Sequence, residues 1–315
     1  MSLVRLIAGR AVGGGGVLLV VAVATFGLLA AQPGTVADRY DDPRIPAATR
    51  AALRAQAGLD RPWPARLRHH LAAAARGDLG WSVARAQPVG EALRRAAGPS
   101  LLLGASGLLL GVLGGLLLGT WQGVAPGRPA DRWTSRAATV VAATPDFWLA
   151  MLLLTVGAKW LRLVPAGGWP RDAALPTALH HLVLPVITLA LLVAARVSRY
   201  HRTAVAGARA EGWARAARAR GLTPSRIRWH HLARAAAAPT IALAGLLAPM
   251  VIAGAVFVEV VFAWPGIGRL LLDAVQARDV PLAIGATLAT ALAAVVGSVV
   301  ADVAHGWLDP RTRDA

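Results

Sequence analysis

The chain has 315 residues, of which 56% are hydrophobic and only 16% are charged, whereas a soluble domain carries about a quarter charged residues. This composition excludes a disordered chain and argues against an ordinary cytosolic enzyme. The net charge of +17 lies between long apolar runs, which indicates an integral membrane protein rather than a nucleic-acid-binding one. Because cysteine is absent, disulfides, thiolate metal sites and cysteine nucleophiles are excluded.

Six apolar stretches are long enough to cross a bilayer, whose core needs roughly 20 apolar residues per helix. The first follows Arg5 and Arg10 and is longer than the core of a signal peptide, so a retained helix is predicted there. The predicted fold is therefore an all-α integral membrane protein with six transmembrane helices. The stretches cover residues 11–37, 96–127, 137–158, 177–198, 235–258 and 280–301.

These spans divide the chain into three parts. Residues 1–37 hold the N-terminus and the first helix, residues 38–95 form a small segment between helices 1 and 2, and residues 96–315 form a five-helix core. Ten arginines and a single acid, Glu211, lie between residues 196 and 238, whereas the short loops on the opposite side hold four arginines. Because cytoplasmic loops carry the excess of Arg and Lys, both termini are predicted to be cytoplasmic and residues 38–95 to lie outside.

Small residues and prolines recur within the predicted spans. The run Gly111–Gly115 predicts close contact between helices, because lipid supplies no hydrophobic drive for helix association. Pro145, Pro185 and Pro249 fall in spans 3, 4 and 5. Each removes a backbone donor, which predicts a kink in its helix.

Three of the acidic residues in or beside predicted spans are candidate functional residues, because a charge at mid-span costs roughly 2.5–3.5 kcal/mol on insertion scales. Asp146, just after Pro145, either lines a substrate path or caps the helix segment that restarts after the proline. Glu259 closes span 5 and either binds backbone amides of the external loop or contacts substrate. Asp302, near the cytoplasmic end of span 6, is predicted to pair with a loop arginine.

No motif in the sequence predicts catalysis by the chain itself. The only lysine, Lys159, lies in Gly157–Trp160, which does not match a phosphate-binding loop. Adjacent histidines such as His180–His181 are poor chelators because neighbours on a helix do not share a face, so no metal site is predicted. After span 5, a short external helix is predicted with Arg269 and Asp273 four residues apart.

The segment between spans 4 and 5 predicts two short helices joined at a glycine corner. Alanine and arginine favour helix up to Arg220, and Gly221 suits a left-handed cap. Thr223 suits the N-cap of the next helix, with Pro224 at its first position. The ten positive charges fit either a topology signal or a docking element for a cytoplasmic partner.

Several motifs in this and other segments resemble one family. The run Arg215-Ala216-Ala217, with Gly221 and then Pro239, resembles the EAA loop of the membrane subunits of ABC importers. Two departures occur: Arg215 stands at the name-giving glutamate position, and Gln32–Thr35 replaces a Pro-Gly-Asp-Pro-like sequence. Further segments resemble dipeptide and oligopeptide permeases in order along nearly the whole chain: Ala57–Pro62, Arg76–Gly80, Ala143–Trp148, Val258–Gly268, Asp302 and Leu308–Arg311.

The resemblance implies a type I ABC importer permease fold and a mechanical role in the bacterial cytoplasmic membrane. The chain would form the translocation path with a homologous second permease, and an extracytoplasmic binding protein would deliver substrate. Two ATPase subunits would bind ATP and Mg and hold the coupling loops, so the chain itself would need no cofactor. The coupling-loop residues carried over, from residues 204–238 and the position after them, are Arg215, Ala216, Ala217, Arg218, Gly221, Leu222, Thr223, Pro224 and Pro239.

Short peptides are the substrate that the resemblance implies. Nickel chelates and glutathione are alternatives within the same subfamily. A secondary transporter or channel that works without an ATPase is the alternative from another class. Neighbouring genes for a second permease and for ATPases would favour the importer.

Overall fold

The computed structural model describes residues 3–31, 62–170 and 175–308, which are mostly helical. The first part of the predicted external segment, residues 38–61, lies outside the described residues, as does the tail from residue 309. The elements up to span 3 are α1 (Leu3–Ala31), α2 (Trp63–Ala74), β1 (Trp81–Ser82), β2 (Gln87–Pro88), α3 (Val89–Val124), α4 (Pro129–Ala143) and α5 (Asp146–Leu153), which continues as a π-helical segment (Leu154–Trp160). The later elements are α6 (Leu175–Ala210), α7 (Gly212–Ala219), α8 (Pro224–Arg226), a second π-helical segment (Ile227–Leu232), α9 (Ala233–Val261), α10 (Ile267–Gln276) and α11 (Val280–Leu308).

Three helices in the described part are long and apolar enough to cross a membrane, in α3, α6 and α11. Two bent pairs also qualify, Pro129–Ala143 with Asp146–Trp160 and Pro224–Ala237 with Pro239–Ile252, which raises the number to five. A shorter apolar helix, Val12–Leu28, lies where the first span was predicted. The multi-span helical class is confirmed. Within the described residues, length and composition therefore give three to five candidate spans, and the predicted first span runs on to residue 37, beyond the described residues.

The three prolines that were predicted to kink their helices have different effects in the structure. At Pro145 the helix breaks completely: Thr144 adopts extended backbone, and the helices on either side meet at 111°. This follows from the steric clash that a proline ring imposes on the residue before it. In contrast, α6 continues through Pro185 and α9 through Pro249. The 50° bend associated with α9 falls between Ala237 and Pro239 instead.

Glycines on one face of α3 bring it into direct contact with α6. They recur every four residues over Gly107–Gly123 and face α6 residues with the same spacing. A Cβ placed on Gly111 would lie 2.5 Å from the Cβ of Val193, and one on Gly115 would lie 2.6 Å from that of Val197. Only glycine permits this helix separation, which confirms the close contact predicted from the small residues.

The chain forms two compact units. Unit 1 comprises Met1–Arg10, Ser100–Trp264 and Ala293–Ala315, and unit 2 comprises Ala11–Pro99 and Pro265–Leu292. The main core of unit 1 is a cluster of Leu and Val side chains from α6 and α9, with Phe262 and Trp264 fully buried beside them.

Unit 2 contains the β1–β2 hairpin and the start of α11, which Asp279 holds together. The buried Asp279 carboxylate accepts hydrogen bonds from the Ser82 hydroxyl (2.7 Å) and the Ala84 N–H (2.9 Å). Its other oxygen accepts from the Leu282 N–H (3.2 Å), which caps the first turn of α11. The predicted helix after span 5 is confirmed as α10, and its Asp273 pairs with Arg85 of the hairpin at 2.8 Å.

Candidate functional site

The segment between α6 and α9 folds as a hairpin, residues 211–232, which we call the basic hairpin. After α7, Gly221 lies in the left-handed region with a φ of +77°. The Gly221 N–H donates to the Arg218 carbonyl (3.0 Å), and the Leu222 N–H donates to the Ala217 carbonyl (3.3 Å). This pair of bonds closes a helix whose cap glycine is left-handed, so the predicted glycine corner is confirmed.

A second helix starts directly after this corner. Thr223 has extended backbone, and its hydroxyl accepts a hydrogen bond from the Arg226 N–H at 3.4 Å. Pro224 takes the first helical position, where a missing N–H has no cost. The predicted cap is therefore confirmed. The α-helical part has only three residues before the π-helical segment leads without a break into α9. One arm of the hairpin thus continues directly into α9, ahead of the 50° bend between Ala237 and Pro239.

Small apolar side chains hold the basic hairpin against the ends of α6 and α9. Ala214 and Ala217, three residues apart on α7, are buried together with Ile227. Val205 of α6 and Ala236 of α9 belong to the same cluster. Movement of α7 would therefore press directly on two long helices.

The opposite face of α7 is exposed and positively charged. Arg215 and Arg218 are both exposed, and their three-residue spacing places them on the same side of the helix. Ala216, between them in the chain, is exposed as well. Of the other predicted coupling residues, Leu222 is partly buried, while Gly221, Thr223 and Pro224 are exposed at the corner. Pro239 is exposed farther along, in α9.

A buried histidine joins three helices beside the basic hairpin. His201 of α6 is 1% exposed. Its Nε2 lies 2.9 Å from the Thr120 hydroxyl of α3, and its Nδ1 lies 2.8 Å from the Thr240 hydroxyl of α9. Both threonines are buried as well. The three side chains form a polar node, Thr120–His201–Thr240, between the hairpin cluster and the core of unit 1.

The next residue on α6 forms an ion pair with the first turn of α4. Arg202 donates through Nε and Nη2 to the two carboxylate oxygens of Asp131, at 2.6 and 2.8 Å. The Gly127 N–H donates to the same carboxylate at 2.7 Å, and Asp131 is almost fully buried. Such a two-pronged pair fixes both distance and orientation. It ties the turn to α6 one residue beyond the polar node.

Asp146 lies in the first turn of α5, directly after the break at Pro145. One carboxylate oxygen is 3.9 Å from Nη2 of Arg196 on α6. The other is 2.6 Å from the position that a Cβ on Gly254 of α9 would occupy. Asp146 therefore meets two other helices at one point.

The other two predicted acids differ in their surroundings. Glu259 is 2% exposed, and its carboxylate accepts a hydrogen bond from the Ser100 hydroxyl at 2.6 Å. Its backbone carbonyl accepts from the Trp264 N–H at 2.8 Å. Asp302 lies in α11, but its side chain is outside what the structure describes.

The polar node and the Asp131–Arg202 pair are absent from the sequence-based predictions. Thr120 and Thr240 lie 81 and 39 residues from His201 in the chain. Asp131 lies 71 residues from Arg202. A weak signal exists for the ion pair, since Asp131 is an acid among the arginines of its loop.

The fold and the hairpin define a membrane-spanning transport component, and comparison with known proteins identifies its family. The family of binding-protein-dependent transport system inner membrane components matches residues 111–314. The chain belongs to this family. It is a multi-pass inner-membrane permease component of an ABC transporter and not the catalytic ATPase.

Individual relatives cover nearly the whole chain. A Brucella ovis protein described as a candidate peptide permease is 35% identical over 95% of this chain and 95% of its own length. The Salmonella typhi glutathione transport system permease protein GsiC is 32% identical over 94% of each chain. The Mycobacterium tuberculosis oligopeptide transport system permease protein OppB is 34% identical over 86% of this chain and 87% of its own.

A solved structure shares the fold. The crystal structure of an amino acid ABC transporter with histidines matches at a TM-score of 0.51 and 18% identity, covering 68% of this chain and 93% of that chain. At this identity the match supports the permease fold and carries no argument about substrate.

Proposed function

We propose that this chain is the membrane-spanning permease subunit of an ATP-driven importer of short peptides, and that its basic hairpin docks on a cytoplasmic ATPase subunit. The chain forms the translocation path with a homologous permease, and an extracytoplasmic binding protein delivers the substrate. Membership of a binding-protein-dependent transport family supports the binding protein and the ATPases as partners.

The construction of the basic hairpin is the observation that carries the proposal. Its charged face, with Arg215 and Arg218, is exposed, while its alanine face is packed on α6 and α9. A purely electrostatic topology signal needs charge but no ordered corner. The capped turn at Gly221 and the continuous connection to α9 are instead what a force-transmitting contact requires.

The relatives support peptides as the substrate class. They are described as permeases for peptides, oligopeptides and glutathione, and glutathione is itself a tripeptide. The test is uptake into proteoliposomes that contain this chain together with its second permease and ATPase subunits, with the binding protein outside. ATP-dependent uptake of labelled dipeptides to pentapeptides is expected, and glutathione and a nickel chelate serve as competitors. Uptake that persists without the ATPases would establish a secondary transporter or channel instead.

Substitution of Gly221 tests the role of the hairpin. No atom lies within 4 Å of a Cβ built there, so Gly221→Val adds only backbone strain, which costs about 1–2 kcal/mol in the left-handed region. Membrane insertion should be unaffected, because the residue is exposed at the corner. ATPase docking should weaken, or hydrolysis should continue without uptake, in the reconstituted importer.

The matched control is Gly212→Val at the other end of α7. Gly212 is also exposed, and a Cβ there also meets nothing within 4 Å, but its φ is not positive. This variant should transport close to wild type. Arg215→Gln and Arg218→Gln should have small effects, because an exposed ion pair contributes only about 0–1 kcal/mol. Wild-type uptake and hydrolysis by Gly221→Val would show that the hairpin is a topology signal only.

A further inference from the structure

The break at Pro145 places a charged pair beside two exposed aromatic rings. Asp146 begins α5, and Arg196 approaches it from α6. Phe147, the next residue, packs against Phe257 of α9 with ring centroids 6.4 Å apart. Both rings are about half exposed, at 46% and 54%. We call these four residues the charged–aromatic patch.

The ion pair in this patch leaves hydrogen-bonding capacity unused. The closest atoms of Arg196 and Asp146 are 3.9 Å apart, which is too long for a direct hydrogen bond. The side chains of Arg196 and Asp146 are 30% and 27% exposed, respectively. Charged groups within transmembrane segments face the bundle interior or a water-filled cavity rather than lipid. The exposed parts of this pair therefore face water or a ligand.

The surrounding backbone fixes the acid in place. Because Gly254 has no side chain, the Asp146 carboxylate sits directly against α9. Gly254 and Phe257 are three residues apart and share one face of α9, the face that meets Asp146 and Phe147. Interrupted helices of this kind build the substrate sites of many transporters near the membrane midplane.

We propose that the charged–aromatic patch is a binding site on the translocation path for the ionised ends of a short peptide. Asp146 receives the α-ammonium group, and Arg196 receives the α-carboxylate. Phe147 and Phe257 contact an apolar side chain of the passing peptide. This inference rests on the proposed function, and it adds the substrate groups that the permease recognises. The partly exposed pair suits passage, since each member can exchange its partner for the oppositely charged end of the peptide.

The test compares one tripeptide in three forms: free, N-acetylated and C-amidated. The reconstituted importer receives each form at a concentration that saturates the binding protein. With wild type, each blocked form should enter ~10-fold more slowly, because a hydrogen bond to a charged group is lost. Asp146→Asn should remove the discrimination against the acetylated form only. Arg196→Gln should remove the discrimination against the amidated form only.

Two further variants separate binding from structure. Arg199→Gln changes an exposed arginine on the same helix and should leave all three rates unchanged. The double reversal Asp146→Arg with Arg196→Asp keeps an ion pair but exchanges the positions of the charges. If this double variant transported all three forms at equal rates, or if the single variants lost all three peptides equally, the pair would be structural and the inference would be wrong. Equal wild-type rates for the three forms would also overturn it, whereas no ATP-driven uptake of any peptide would contradict the proposed function itself.

Discussion

At the scale of single residues, the His201 ring is held in one tautomer by its neighbours. The Thr240 hydroxyl donates its only proton to the Ala236 carbonyl at 2.7 Å, so it accepts from Nδ1–H of His201. Nε2 is then unprotonated and accepts from the Thr120 hydroxyl. A neutral imidazole satisfies every hydrogen-bonding group of the node, whereas a protonated one would force Thr120 to give up its donation. The node is therefore built for an uncharged histidine.

Removal of the Thr240 hydroxyl should destabilise the protein by more than the loss of its hydrogen bond to the Ala236 carbonyl within α9. Thr240→Val removes the hydroxyl that accepts from the buried N–H of His201 at 2.8 Å and leaves it only the Ala236 carbonyl, so a loss of up to about 1–3 kcal/mol is expected. Thr188→Val is the matched control, because Thr188 is equally buried and its hydroxyl donates to the Leu184 carbonyl within the same helix. Thermal unfolding of the detergent-purified protein measures both. Equal drops in melting temperature would mean that the node adds no stability across helices.

The sequence correctly predicts the roles of residues whose hydrogen-bond partners lie close to them in the chain. Gly221 and Thr223 bond to atoms at most five residues away, so spacing along the chain predicts their roles. The node and the Asp131–Arg202 pair depend on which helix faces lie together, and periodicity does not specify that. Arg85, whose partner Asp273 is 188 residues away, illustrates the same limit.

At the scale of helices, the glycine stripe of α3 sets the distance between α3 and α6. Gly115→Val should destabilise the protein by about 1–3 kcal/mol, because the new side chain overlaps Val197 and the α6 backbone. Gly104→Val on the same helix is the control, since nothing lies within 4 Å of a Cβ there. Size-exclusion profiles and melting temperatures of the two purified variants provide the comparison. A profile for Gly115→Val that matches that of Gly104→Val would show that α3 is free to move away.

The two π-helical segments show what helix-level prediction lacks. Pro145 predicts a kink from the sequence, and in the structure the helices on either side of it meet at an angle of 111°. The segments Leu154–Trp160 and Ile227–Leu232 carry no comparable marker. Both follow short α-helices, α5 and α8, and π-helical turns often lie at functional sites. The second of them joins the basic hairpin to α9, where helical rotation would be transmitted.

At the scale of the whole molecule, the direction of the chain across the membrane determines which partner each segment meets. The basic hairpin and the segment 128–136, which includes the start of α4, share an excess of arginine, which predicts one side for both. The β1–β2 hairpin precedes α3, and α3 is one of the helices long enough to span. If α3 crosses once, residues before Val89 and after Val124 lie on opposite sides. The proposed ATPase contact at the basic hairpin would then lie on the side of the residues that follow Val124.

Single cysteines at two exposed alanines test this orientation. The chain has no native cysteine, so each introduced thiol reports on one position. Ala84 precedes α3 and Ala130 follows it, and both are exposed. In spheroplasts, Ala84→Cys should react with a membrane-impermeant maleimide, whereas Ala130→Cys should react only after permeabilisation. The reverse pattern would invert the chain and place the basic hairpin outside, where no ATPase can reach it; labelling of both in intact spheroplasts would show that α3 does not cross the membrane.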